Sequence, residues 1–368
     1  MNKVRIGIIG IGSFGAGHAR RLLGGEIKDA QLCAVCDVDK GRAAQFEGIE
    51  AYDCAEKMYK SGDIDAVIIA TPHYDHPRLT MLAFEHGIHV LCEKPQAVHI
   101  KDAREMNKAH KNYPDLVFAI MYNQRTNPAY IKMREIIQNG ELGSVHRFNW
   151  IITNWYRSQI YYDSGSWRAT WGGEGGGVLI NQCPHQLDLW QWILGMPKSV
   201  RAFCHNGKWH DIEVEDDVTA YCEYENGATG VFITTTGDSP GTNRLEISGD
   251  MGKLLCENDK LIFYKNKIST PEFSKINKSP MGKPECEVIE IELEGENAQH
   301  NGVVAAFVDK ILGRGELVAC GCEGIDGLMI SNAIHLSSWL EQTVQLPIDE
   351  ELFYSELKKR IENSKFKM

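Results

Sequence analysis

Short apolar runs alternate with amphipathic stretches through the first third of the chain. Val4-Arg-Ile-Gly-Ile-Ile9 has strand length, and Phe14, Ala19, Leu22 and Leu23 then recur at helical spacing until Gly24-Gly25 stops them. The alternation continues as a strand over 31–36, a helix around 42–46, a strand over 66–70 and a helix over 76–86. A strand over 89–92, a helix over 100–110 and a strand over 116–121 follow. Strands alternating with one-faced helices imply a parallel sheet covered on both sides. Past residue 123 the pattern changes. A helix is predicted over 128–139 and a long strand over 145–154, then strands over 198–204, 218–224, 228–236, 244–248, 254–257, 261–264 and 286–293. Glu225-Asn-Gly-Ala228 reads as a hairpin turn between two of these. Consecutive strands imply a large, mostly antiparallel open sheet, and helices over 298–312 and 325–342 precede a charged tail. The fold class is therefore α/β followed by α+β: a doubly wound parallel sheet over 1–123, and a domain built on an open sheet over 124–368.

The first strand ends in Gly10-Ile-Gly12-Ser13-Phe14-Gly15, and a helix opens directly after it. An acidic residue, Asp37, closes the second strand about twenty positions on, as in a dinucleotide-binding fingerprint of Rossmann type. Gly10 permits the tight turn, Gly12 lets the backbone approach a pyrophosphate, and Gly15 lets the helix pack closely. The pyrophosphate would sit on unpaired amides at the helix start. Asp37 can accept hydrogen bonds from both ribose hydroxyls and would repel a 2′-phosphate, which favours NAD over NADP.

Composition removes several classes of function. A net charge of −11 without a basic cluster argues against nucleic acid. The apolar runs are strand-length, too short for a membrane span, and no signal-peptide pattern opens the chain, so a cytoplasmic protein is expected. Eleven cysteines, many in apolar strands, read as buried thiols in a reducing compartment. Cys33-Ala-Val-Cys36 has the spacing of a metal pair but lies within a strand, where side chains three apart point to opposite faces, so no metal is expected.

Downstream come Ala70-Thr71-Pro72-His73, then His76, then Gly87-Ile-His-Val-Leu-Cys-Glu93-Lys94-Pro95. Met121-Tyr-Asn123-Gln-Arg125, Trp167-Arg168, Gly175-Gly-Gly177 and Asn181-Gln-Cys-Pro-His185-Gln-Leu-Asp188 follow in order. This succession resembles the Gfo/Idh/MocA family of oxidoreductases, with Glu-Lys-Pro after a strand as its most specific motif. The resemblance implies that Lys94 lies near the nicotinamide and the reacting hydroxyl, and that His185 accepts the proton during alcohol oxidation. It implies further that Thr71, Pro72, His73, His76, Glu93 and Pro95 line the cofactor cleft, while Asn123, Trp167 and Arg168 close it. An alcohol releases hydride readily only as its proton leaves, so a base must stand within reach, and histidine titrates where that task needs it. A lysine ammonium beside the same oxygen stabilises the developing alkoxide.

Many family members carry Asp where this chain has Asn181, four residues before the histidine. An amide cannot stabilise an imidazolium as a carboxylate does. Either Asn181 binds a substrate hydroxyl, or another group tunes His185. Lys94, Arg125, Tyr156, Trp167, Asn181 and His185 are the candidate substrate contacts. The segment 155–177 is rich in Trp, Tyr and Gly, which suits either the apolar face of a sugar ring or a protein contact. The expected substrate is a sugar, cyclic polyol or glycoside oxidised at a ring hydroxyl, with C3 of a glycoside as one case. The resemblance also implies a homo-oligomer formed through the second sheet. Two alternatives belong to the same family: NAD-dependent cleavage of glycosides through transient oxidation, and a non-catalytic NAD-binding regulator.

Overall fold

The computed structural model describes residues 3–258 and 260–366. These residues form two compact units. The first comprises residues up to Thr126 together with Gly173–Gly175 and Ala298–Leu328; the second comprises Asn127–Gly172, Gly176–Asn297 and the residues from Met329 onward.

The first unit is a six-stranded parallel sheet of β1 (Val4–Ile9), β2 (Ala30–Cys36), β3 (Glu50–Tyr52), β4 (Ala66–Ile69), β5 (His89–Cys92) and β6 (Phe118–Ile120). Its order is β3-β2-β1-β4-β5-β6, so the winding reverses between β1 and β4. Open parallel sheets bind ligands at such a reversal, outside the carboxyl ends of the strands. Ile6, Ile8, Val67 and Ile68 are wholly buried, as strands covered on both faces require. Part of that cover comes from far along the chain. The helix Gln299–Ile311 sets Val303, Val304, Phe307 and Val308 into the core of this sheet. Residues 298–328, expected in a continuous domain over 124–368, thus fold with the first unit, and its first segment ends at Thr126 and not at 123. The apolar stripe of that helix matches the sheet face, and burial favours the match regardless of sequence separation.

The second unit holds a nine-stranded sheet. Its strands are β7 (Val145–Ile152), β8 (Ser199–Asn206), β9 (Glu215–Glu223), β10 (Thr229–Thr235), β11 (Asn243–Gly249), β12 (Gly252–Glu257), β13 (Lys260–Asn266), β14 (Cys286–Ile291) and β15 (Val344–Gln345). Their order is β14-β13-β12-β11-β7-β10-β9-β8-β15, and every neighbouring pair is antiparallel except β7 with β10. Buried and outward positions alternate along β9, the mark of a sheet covered on one face. Phe148, Trp150, Trp190 and Phe232 interlock on the covered side, with Phe148 and Trp190 centroids 4.9 Å apart. The tail expected after 342 contains a helix, Glu350–Glu362, started by the Asp349 carboxylate on the amides of Glu351 and Leu352 and anchored by buried Phe353 and Leu357. Three short elements, β3 and the helices Ala55–Lys60 and Thr270–Ile276, carry too few apolar positions to show a period. Among the described residues no helix is long and apolar enough to cross a membrane.

Candidate functional site

In the first unit the turn after β1 is built to stay open. Gly10 has φ +87°, and a Cβ there would stand 2.6 Å from the Ala70 carbonyl oxygen. A Cβ on Gly15 would stand 1.8 Å from the Gly10 oxygen, so helix and turn touch. Gly12 differs: a Cβ there would meet nothing within 4 Å. Gly12 is the N-cap of the helix Ser13–Leu23, whose first turn receives no side-chain cap. Open space thus lies over a helix start whose amides have no side-chain partner, the arrangement that takes a pyrophosphate. Asp37 is buried and accepts the amides of Ile11 at 2.6 Å and Asp39 at 2.8 Å. It holds the glycine turn, and a carboxylate has lone pairs left for ribose hydroxyls. The buried Oγ1 of Thr71, at the end of β4, and Oδ1 of Asn123 have no hydrogen-bond partner within the protein. These residues fit a dinucleotide. Phe14 is largely exposed beside the turn.

Glu93 and Lys94 follow β5 at the same carboxyl edge of the sheet. Glu93 is buried with its Oε1 2.9 Å from Nε2 of His18, and its Oε2 accepts the Lys94 amide at 3.3 Å. Burial pushes the Glu93 carboxyl up, but the His18 hydrogen bond and the charges of His18, Lys94 and His300 outweigh it and hold it at about 2. Glu93 therefore anchors the backbone that presents Lys94. His76 is also turned inward. It is wholly buried, with Nδ1 2.8 Å from the Pro95 carbonyl and Nε2 2.9 Å from that of Thr71. It ties the segments after β4 and β5 together, where the sequence placed it on the cleft wall. His73 sets Nδ1 3.0 Å from the Glu174 carbonyl. Arg125, expected to touch substrate, has 2% of its side chain exposed and pairs with Glu323 at 2.6 Å. Its charge is met inside the protein.

In the second unit Asn181 ends the short helix Val178–Asn181, and His185 stands in the first turn of the helix Pro184–Leu194. Buried Glu215 starts the first of these helices by accepting the amides of Gly177 and Leu179 at 2.9 and 3.0 Å. His335 Nε2 lies 3.1 Å from that carboxylate. Tyr161 joins the expected residues. Its hydroxyl oxygen accepts from Arg168 at 3.0 Å and from Gln182 at 3.4 Å, and its proton goes to Oδ1 of Asn181 at 3.5 Å. The Arg168 guanidinium lies 4.7 Å from the ring centroids of both Tyr161 and Trp167. Asn181, Arg168 and Trp167 are thus brought together through a residue the sequence left unassigned. Its place in an aromatic-rich segment was the available signal. Tyr156, expected at the site, is 52% exposed and takes no part in this cluster.

Comparison with known proteins agrees with this fold. Residues 4–120 match the oxidoreductase family with an NAD-binding Rossmann fold, and residues 130–255 match the GFO/IDH/MocA C-terminal domain. The chain is 26% identical over 267 residues to myo-inositol 2-dehydrogenase of Thermotoga maritima, covering 69% of this chain and 75% of that one. It is 27% identical to the rhizopine catabolism protein MocA of Rhizobium meliloti, covering 66% and 74%. The WlbA dehydrogenase of Bordetella pertussis, solved with NADH and UDP-GlcNAcA, superimposes with a TM-score of 0.81 at 24% identity, over 95% of this chain and 99% of that one. A levoglucosan dehydrogenase solved with NADH and L-sorbose gives 0.78 at 20% identity, over 95% and 100%.

Proposed function

The chain belongs to the Gfo/Idh/MocA oxidoreductases and uses NAD, and from that premise we propose that it oxidises a secondary ring hydroxyl of a sugar, cyclic polyol or glycoside. Bound NAD supplies a hydride acceptor at its nicotinamide ring. The chain's own residues manage the proton and the charge. Lys94 stabilises the negative charge that grows on the hydroxyl oxygen, and His185 takes the departing proton. Asn181, with its amide oxygen held by Tyr161, contacts a hydroxyl of the substrate ring. Asp37 accepts the adenosine ribose hydroxyls beside the backbone amides it already holds.

The observation that carries this reading lies in the first unit. Lys94 is fixed through Glu93 at the carboxyl edge of the sheet that bears the open glycine turn. The substrate class rests on the inositol dehydrogenase relatives and on the aromatic and polar cluster around Asn181. The reading extends to a homo-oligomer, since Phe203 and Tyr221 stand exposed on the neighbouring strands β8 and β9. It places the chain in the cytoplasm, since none of its eleven cysteines is in a disulfide.

Inositols, anhydrosugars and glycosides supplied with NAD, with reduced nicotinamide followed by absorbance, test the proposal. Turnover is expected on at least one ring polyol, with loss of about a hundredfold or more in Lys94→Ala and His185→Ala while NADH still binds. Activity confined to open-chain or acidic compounds overturns the substrate class. Near-wild-type turnover in both variants overturns the assigned roles.

A further inference from the structure

Cys320-Gly321-Cys322, to which the proposed reaction assigns no role, opens the short helical turn Gly321–Glu323. Cys320 occupies a capping position that Ser or Thr usually fills. Its Sγ accepts the Cys322 amide at 3.4 Å, and its own amide donates to Glu323 Oε1 at 3.1 Å. Cys320 is half-buried and Cys322 is exposed, so the pair is reachable from solvent. Gly321 between them is buried, and a Cβ there would stand 2.4 Å from the Phe118 ring, so the intervening residue stays the smallest one. Among the described residues no third His, Cys, Asp or Glu joins the pair to complete a metal site.

Their chemistry also sets these cysteines apart. The Cys322 thiol and amide beside it outweigh burial and bring the Cys320 thiol below the ordinary cysteine value. Burial pushes the thiols of Cys36, Cys92, Cys204 and Cys222 upward instead. The thiolate is the reactive form, so Cys320 ionises more readily than those four thiols and is the more nucleophilic of them.

We propose that Cys320 and Cys322 form a peroxide-oxidisable dithiol, a modification site that closes to a reversible disulfide across Gly321. The Cys320 thiolate attacks one oxygen of hydrogen peroxide, the O–O bond breaks, and the departing hydroxide takes a proton to become water. Cys320 is then a sulfenic acid. The Cys322 sulfur displaces the hydroxyl from it, the S–S bond forms, and the Cys322 proton leaves with that hydroxyl as a second water. The two sulfurs together lose two electrons, and the peroxide gains them. A dithiol reductant reverses the change.

The test is peptide mapping of the full-length reduced protein. Trypsin releases residues 315–358 as one peptide with Cys320 and Cys322 as its only cysteines. After about one equivalent of hydrogen peroxide and then iodoacetamide, that peptide is expected unalkylated and lighter by two hydrogen atoms, and dithiothreitol is expected to restore both thiols. Cys322→Ser should leave a Cys320 sulfenic acid that dimedone traps. Cys320→Ser should leave Cys322 alkylatable at the same dose. The proposal is overturned if the wild-type peptide stays fully alkylatable while Cys54 or Cys286 oxidises, if Cys320→Ser oxidises at Cys322 as fast as wild type does, or if Cys320 passes directly to the sulfinic acid.

Discussion

His18 Nε2 stands 2.9 Å from Glu93 Oε1, and water reaches almost none of either side chain. The pair places a charged carboxylate one residue before Lys94, so the strand end that presents the lysine depends on a group that acid can neutralise. The Glu93 carboxyl is held near 2, against an ordinary 4.5, so its contribution to stability is complete above about 4.5 and lost as pH falls through about 2. Glu93→Gln lacks this titration. Urea unfolding at a series of pH values should show wild type ahead of the variant near neutrality, with the gap closing across that acid window. A gap independent of pH would remove the Glu93 charge from the account.

The glycines of the first turn separate folding from binding. Gly10→Ala meets both a φ of +87° and the Ala70 oxygen at 2.6 Å, so a loss of about 1–3 kcal/mol in stability is expected. Gly12→Ala has a φ of −76° and nothing within 4 Å, so its melting temperature should stay near wild type. Its methyl would fill the space over the helix amides and weaken NADH binding about tenfold, about 1.4 kcal/mol. Thermal melts and a nicotinamide fluorescence titration on both variants check the contrast. Normal NADH affinity in Gly12→Ala would refute the pyrophosphate assignment.

Tyr161 donates to Asn181 Oδ1 at 3.5 Å while its oxygen accepts from Arg168 and Gln182, and so helps to orient the Asn181 amide. Tyr161→Phe removes all three bonds without emptying the space. A rise in KM and a fall in kcat/KM of about tenfold are expected, the equivalent of roughly one hydrogen bond. Steady-state kinetics on the best polyol substrate measure it, and wild-type kinetics would detach Tyr161 from the site.

Arg125 keeps 2% of its side chain exposed, and Glu323 Oε2 meets it at 2.6 Å. Glu323→Ala leaves that guanidinium buried without this carboxylate. A loss of about 2 kcal/mol is expected, less than the ~3–5 for a fully buried pair because Glu323 is 40% exposed. Chemical denaturation measures the loss. Substrate KM should not move, and a large KM change would return Arg125 to the substrate site.

What the residue pattern determined by itself was local. Periodicities of two and 3.6 are properties of neighbouring positions, so most strands and helices, their change of character after 123 and the open turn at Gly10–Gly15 were readable before any folding. The Glu93-Lys94-Pro95 run was readable through its resemblance to the Gfo/Idh/MocA motif. The helix Glu350–Glu362 escaped because Phe353 and Leu357 are its only buried side chains, too few to show a period among charges.

Tertiary structure alone chose the partners. Nothing near Arg125 announces that its charge is met 198 residues later, and nothing near His76 announces a tie from the Thr71 carbonyl to that of Pro95. The return of residues 298–328 to the first sheet and the choice of Tyr161 over Tyr156 beside Asn181 are of the same kind. Side chains find hydrogen-bond and ion-pair partners through space, and burial makes those partners obligatory. A linear pattern records which residues need a partner, and only the folded chain decides which one each receives.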